Sequence, residues 1–365
     1  MIKGVDVSTL PEVELLGGRF FDNCVEKDAL KILKDRGATL LRIRLWNDPY
    51  SPSGEPYGAG TNDIDCAESL ARRAKELGMS IMLDFHYSDF WADPGKQIMP
   101  KAWAGLSLDE LVQKVFEFTR QSLKRLVRAG CAPEYVAVGN EISNGLLWEY
   151  GKLPDYASMV RLINSGLKAV RESVPLAKTM LHLDNGGDNA LFRRWFDGYF
   201  AAGGADFDMI GLSYYAFWHG KMSALRDNMR DIALRYKKDM MIVETSACFT
   251  LDDYSVYEGL ERDERKSAAA NEELARRVEF PPTVQGQCDF LESLADVIRS
   301  VPDHRCKGFV YWEPAWLPVK GSGWANEAAL AYTGEKGPGG NEWANQALFD
   351  FEGNALPALD TFKKI

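Results

Sequence analysis

The chain has 365 residues, more than the roughly 100–200 of an ordinary domain but within the range of one α/β barrel. Its formal net charge is −10, and aromatic residues make up 12% of it, with 10 Trp. The lack of a basic stripe excludes nucleic acid, and the lack of a run of about 18 apolar residues excludes a membrane span; indole rings on an acidic chain suit a neutral ligand with faces to stack on.

The N-terminus, MIKGVDVSTL, lacks the basic region, apolar stretch and small-residue cleavage site of a signal peptide. A cytoplasmic protein is expected, or a secreted or periplasmic one if a signal peptide has been removed. Short apolar runs then follow at GVDVS (4–8), TLLRIRLW (39–46), MSIMLDFH (79–86), YVAVGNE (135–141), TMLHLDN (179–185), MIGLSYY (209–215), MMIVETS (240–246) and GFVYWEP (308–314). Helical spacing fills the gaps, as at 65–78, 108–130, 156–173 and 288–301, and some of these stretches end in the Gly that closes a helix. Strand then helix, eight times, predicts a single (β/α)₈ barrel over residues 1–365, with parallel strands buried on both faces.

Two connections are long. Residues 249–284 separate strand seven from its helix, and the Gly-rich KGSGWANEAALAYTGEKGPGG follows strand eight. Connections of this length are functional loops or lids. The six cysteines, Cys24, Cys66, Cys131, Cys248, Cys288 and Cys306, include no C-x-x-C and are read as reduced thiols.

Catalytic groups of such barrels sit at the carboxyl ends of the strands. The run VAVGNE ends strand four in Glu141, and MMIVET ends strand seven in Glu244. Further tip carboxylates are Asp6, Asp84, Asp89, Asp184 and Glu313. A lone tip Glu is usually a salt-bridge partner. Two of them facing each other across the lumen, in a chain this rich in Trp, are what glycoside hydrolysis requires: an acid for the leaving oxygen and a carboxylate for the anomeric carbon.

GVDVSTL, RIRLWNDP (42–49), DFHYSDFWADPGKQ (84–97), VGNEISNG (138–145), LHLDNGGDN (181–189), GLSYY (211–215), VETS (243–246), FVYWEPAW (309–316) and NQALFDFEGNALP (345–357) together resemble glycoside hydrolase family 53, the endo-β-1,4-galactanases of clan A. The NE pair alone is common to the clan; DFHYSDFWADP with YWEPAW is more specific. The resemblance implies a retaining endo-galactanase acting on plant cell-wall galactan, arabinogalactan type I or derived galacto-oligosaccharides, as a monomer without a cofactor.

By position, the resemblance makes Glu141 the general acid/base, with a raised pKa, and Glu244 the nucleophile, with a normal or lowered one. Asn140 would bind the sugar 2-hydroxyl, and Arg42, rather than Arg44, would keep Glu244 ionised. Either Tyr214 or Tyr215 would hydrogen-bond the nucleophile. Trp312 would floor the sugar being cleaved, with no role for its neighbour Glu313. His86, Asp89 and Trp91 would line the glycone side, and His182 and Asn185 the cleft wall.

His86 has no His or Cys partner at ligand spacing, so zinc is not expected. Bacterial members of the family often hold calcium in the loop after strand seven. Here LDDYSVYEGLERDERKSAAANEE offers Asp252 and Asp253 but not the alternating oxygen donors of such a site, so no calcium is expected there and the composition of 260–277 suggests helix instead. The alternatives are another clan A endo-glycanase, such as a β-mannanase or xylanase, and a non-catalytic carbohydrate-binding barrel.

Overall fold

The computed structural model describes residues 1–252, 271–336 and 339–365. Eight parallel strands close on themselves: β1 (Ile2–Asp6), β2 (Leu40–Leu45), β3 (Ser80–Phe85), β4 (Tyr135–Val138), β5 (Lys178–Leu183), β6 (Met209–Ser213), β7 (Asp239–Thr245) and β8 (Cys306–Trp312). Each strand pairs with its neighbours in chain order, and β8 returns to β1. This is the (β/α)₈ barrel.

Burial on both faces explains the apolar runs. Between strands and helices lies one large cluster of buried side chains, while Leu40, Met82, Ala137, Met180, Met209, Met241, Val243 and Val310 pack separately as the plug of the lumen. Above that plug the inward positions turn polar: Asp6, Arg42, Asp84, His182 and Ser213 are all wholly buried. The sequence alternation therefore stacks an apolar layer under a charged one, and the charged layer is at the carboxyl ends.

The helices are held by local chemistry. Leu108–Arg128 starts in a capping box made by Ser107 and Glu110, and Ile64–Glu76, Tyr156–Ser173 and Asn189–Ala201 start at Asp63, Asp155 and Asp188, whose carboxylates accept backbone N–H groups of the first turn. Val284–Ser300 follows β7 and Ala358–Lys364 follows β8. Among the described residues no helix is long and apolar enough to cross a membrane.

Strand four is shorter than its apolar run. It stops at Val138 because Gly139 takes φ 91°, where a Cβ would lie 2.6 Å from Cγ2 of Ile142. Glu141 follows in the left-handed region at φ 47°, which costs on the order of 1 kcal/mol or more for a residue with a side chain. That turn is what the Gly in VAVGNE is for. It swings the carboxylate out of the strand and over the lumen.

Strand seven uses another device. Gly211 and Leu212 of β6 pair with Met241 and Ile242, but Ser213 pairs with Glu244, so β7 carries one extra residue. A bulge of this kind re-aims the side chain beside it. Val243 stays in the lumen plug, and Glu244 lines the cavity above it.

Candidate active site

At the carboxyl ends lies a cavity of about 390 Å³, within the range of small-molecule sites. Glu141 and Glu244 line it together with Asn140, Asp93, Asp184, Tyr215, His86 and a shell of indoles, Trp91, Trp218, Trp312, Trp316, Trp324 and Trp343. One carboxylate oxygen of Glu141 and one of Glu244 lie within 4.8 Å of each other. The two carboxyl groups therefore face each other at short range, as a double displacement through a glycosyl-enzyme requires.

Arg42 organises the floor. Its Nη2 lies 2.8 Å from Glu244 Oε1 and also donates to Asn140 Oδ1 and Asp84 Oδ2, each at 2.8 Å, while Nη1 donates to Asp6 Oδ2 at 2.7 Å. Arg42 is fully buried and does not line the cavity, so it reaches substrate only through the groups it holds. Arg44 does line it, yet its ion pairs run to Asp6 (3.0 Å) and Glu313 (2.6 Å), away from Glu244. Glu313 also accepts from the Thr9 hydroxyl at 2.5 Å. Burial pushes its pKa up to about 7 against the pull of Arg44.

The two cavity glutamates differ in the way that acid and nucleophile must. Burial, then the charge of Glu244, then that of Asp184 push the Glu141 pKa well above the ordinary carboxylate value, with Ser213 the opposing hydrogen bond. Glu244 is also raised by burial, which corrects the expectation of a normal or lowered value; Arg42 is the largest opposing influence, joined by the Tyr215 hydroxyl. Both groups are held among protein atoms at the cavity wall, but among the described residues only Glu244 has a cation against it.

Tyr215, not Tyr214, faces Glu244: its hydroxyl donates to Glu244 Oε2 at 3.0 Å. Tyr214 points to the opposite side of β6 and donates to the Gly220 carbonyl, so it has no place in the cleft. Asn140 uses Nδ2 to donate to the Ala92 carbonyl at 2.8 Å, which ties the end of β4 to the loop after β3.

Other expected wall residues stand elsewhere. Asp89 is wholly buried and clasps two loops, accepting from Asn47 Nδ2 and the Asp48 N–H on one oxygen and from the backbone and Nζ of Lys101 on the other. Its lone pairs are spent before any sugar arrives. Asn185 sits at φ 53° in the turn after β5, where its carbonyl accepts the Asp188 N–H, and the preceding Asp184 lines the cavity in its place. His182 is buried behind Glu141 instead of in the wall. His86 does line the cavity; its Nδ1 accepts from Trp46 Nε1 and the Ala92 N–H, and its Nε2 lies 3.1 Å from Asp84. Burial opposes ionisation of Asp84, but Arg42 and His86 outweigh it and hold the carboxyl at about 2.

Trp91 and Trp312 are neighbours, not opposite walls. Their ring centroids are 5.9 Å apart at an interplanar angle of 49°, and the Arg44 guanidinium lies 4.6 Å from one ring and 5.4 Å from the other. The loop after β3 leans across the mouth to β8 because Trp91 Nε1 donates to the Trp324 carbonyl. Trp343 closes on Trp312 nearly edge-on at 4.9 Å, and Trp218, 48% exposed, forms the rim beside it.

Glu141, His182 and Glu244 are the described residues whose ligand atoms come close enough to hold a metal ion. The donor set does not fit one, because both ring nitrogens of His182 are already engaged, one by the Glu141 N–H and one by Ser213. For the calcium expectation, Asp252 is exposed, whereas Asp253 and the rest of that stretch through residue 270 lie outside the described residues. Of the helix expected over 260–277, the described part includes the short helix Glu272–Ala275.

Ser213, Asp93, Trp218, Trp324 and Trp343 escaped the sequence reading. Ser213 could have been found from β5, since His182 and residue 211 pair and the same face continues to 213. The three tryptophans lie on loops, where no periodicity assigns a direction.

This geometry has counterparts among known proteins. The family model described as glycosyl hydrolase family 53 matches residues 2–362. A relative from Niallia circulans, named only as an uncharacterised protein in the bgaB 5' region, is 38% identical over 99% of this chain and 93% of its own. An endo-β-1,4-galactanase of Bacillus subtilis (strain 168) is 36% identical over 99% of this chain and 85% of its own. Among solved structures, the GH53 catalytic domain of Ignisphaera aggregans superposes with a TM-score of 0.90 at 38% identity, covering 99% of this chain and 95% of that one. The chain belongs to glycosyl hydrolase family 53.

Proposed function

We propose that this protein is a retaining endo-β-1,4-galactanase, with galactan or arabinogalactan as substrate. The observation that carries the reaction type is the pair of close carboxylates in an indole-lined cleft, one paired with Arg42 and the other with no cation among the described residues. The sugar is carried by kinship with relatives named as galactanases, which favours galactan over the mannan or xylan of other barrels of the clan.

In the first step the Glu244 carboxylate attacks the anomeric carbon as Glu141 passes its proton to the departing oxygen. In the second, Glu141 takes a proton from water, which displaces Glu244 with a second inversion. Arg42 and the Tyr215 hydroxyl keep the attacking carboxylate ionised and aimed. The unshared N–H of Asn140 Nδ2 is available to the 2-hydroxyl, and Trp312 supplies an apolar floor. Initial rates of reducing-sugar release from β-1,4-galactan, mannan and xylan test the assignment. Galactan should be turned over fastest; preference for either other polymer, or no turnover of any, would reject it.

A further inference from the structure

A closed hydrogen-bond ring starts and ends on Glu141. Its backbone N–H points at His182 Nδ1 (3.4 Å), His182 Nε2 lies 2.8 Å from Ser213 Oγ, and Ser213 Oγ lies 2.5 Å from Glu141 Oε1. The direction of this ring follows from its first member. A backbone N–H can only donate, so Nδ1 must accept and the imidazole proton is on Nε2. Nε2–H then donates to Ser213 Oγ, and the serine proton has one place left to go, Glu141 Oε1. His182 and Ser213 are both wholly buried. Burial, with Arg42 next, pushes the His182 pKa down to about 3, so the neutral tautomer persists wherever the cleft carboxylates titrate.

We propose that His182 and Ser213 are positioning residues that commit Glu141 Oε1 to accepting a hydrogen bond and thereby place the catalytic proton on Oε2. The acid would deliver from one defined oxygen, and the base of the second step would receive on the same one. The left-handed turn at Glu141 gains a purpose here, since it directs the N–H that fixes the imidazole tautomer. Neither residue touches the sugar, so the proposal rests on the role given above to Glu141.

The effect must therefore scale with how much the leaving group needs a proton. A series of aryl β-1,4-galactobiosides with leaving groups of graded acidity reads this directly, as the slope of log kcat/KM against leaving-group pKa. Ser213→Ala should cost about tenfold or more with the least acidic leaving groups, part of the ~10²–10⁴-fold worth of general acid catalysis, and progressively less as the leaving group becomes more acidic. The slope steepens. His182→Ala should steepen it likewise, whereas His182→Gln, whose amide can accept from the Glu141 N–H and donate to Ser213, should restore the wild-type slope. A uniform drop across the series, or an unchanged line, in folded Ser213→Ala would overturn the proposal. Should that variant not fold, equal slopes for His182→Gln and His182→Ala would do so. A wild type inactive on galactan would instead reject the function itself, so the two failures are distinguishable.

Discussion

Arg42 Nη2 lies 2.8 Å from Glu244 Oε1 and 2.8 Å from Asn140 Oδ1, so one wholly buried guanidinium holds the end of β7 and the residue preceding Glu141 together. Three carboxylates surround that cation, those of Asp6, Asp84 and Glu244. Arg42→Met would leave all three with one cation fewer, and removing one member of a buried pair costs about 3–5 kcal/mol. Urea unfolding should show a loss of that size along with loss of activity. A variant as stable as the parent would mean that the network is not held by this charge.

The pH dependence should follow the unequal surroundings of the two glutamates. In the proposed mechanism activity needs Glu244 ionised and Glu141 protonated, so the acid limb should report the former and the basic limb the latter. Burial raises both, and among the described residues Glu141 has no cation to oppose it. Asp184 is among the charges that raise Glu141. In Asp184→Asn that repulsion is gone, Glu141 loses its proton more readily, and the basic limb of kcat/KM should move to lower pH. A limb that stays put or moves upward would show that Asp184 does not act on Glu141.

Removing the carboxylates one at a time should separate their roles. Glu244→Ala should abolish turnover of every galactoside, because the proposed glycosyl-enzyme forms on that carboxylate. Glu141→Ala should spare the first step for an activated aryl galactobioside, and added azide should then restore turnover by attacking the unguarded intermediate. Equal, unrescued losses would contradict the assignment.

Trp218 is the indole through which remote binding can be tested. It is half exposed at the rim and 5.6 Å from Trp343, whereas Trp91 is packed against Arg44 and four other indoles and would lose folding energy if removed. Trp218→Ala should lower kcat/KM on long galactan by ~1 kcal/mol. The melting temperature and the hydrolysis of a short activated substrate should change little. Equal losses on long and short substrates would place Trp218 at the reacting sugar instead.

The barrel was legible because its eight apolar runs and intervening helical spacing repeat one physical unit. Glu141 and Glu244 were legible because burying a charge at the end of an apolar strand is costly unless the charge is paired or at work. What stayed hidden was direction. Alternation along β7 points Val243 into the lumen and Glu244 away from it, and only the bulge opposite Ser213 puts Glu244 into the cleft. Parity could not choose between Tyr214 and Tyr215, and the hydrogen bond to Glu244 does. Asp89 was misplaced because it follows hydrogen bonds from Asn47 and Lys101 that local sequence does not encode, and Asn185 because the left-handed turn it makes after β5 leaves Asp184 to line the cavity.

The central claim is double displacement on galactan by Glu141 and Glu244, and the anomeric form of the first product tests it most directly. Proton NMR of β-1,4-galactan digestion, recorded before mutarotation, should show new reducing ends appearing in the β configuration, as two successive inversions require. Reducing ends appearing first as the α anomer would mean a single inversion, and the close pair of carboxylates could not then be nucleophile and acid.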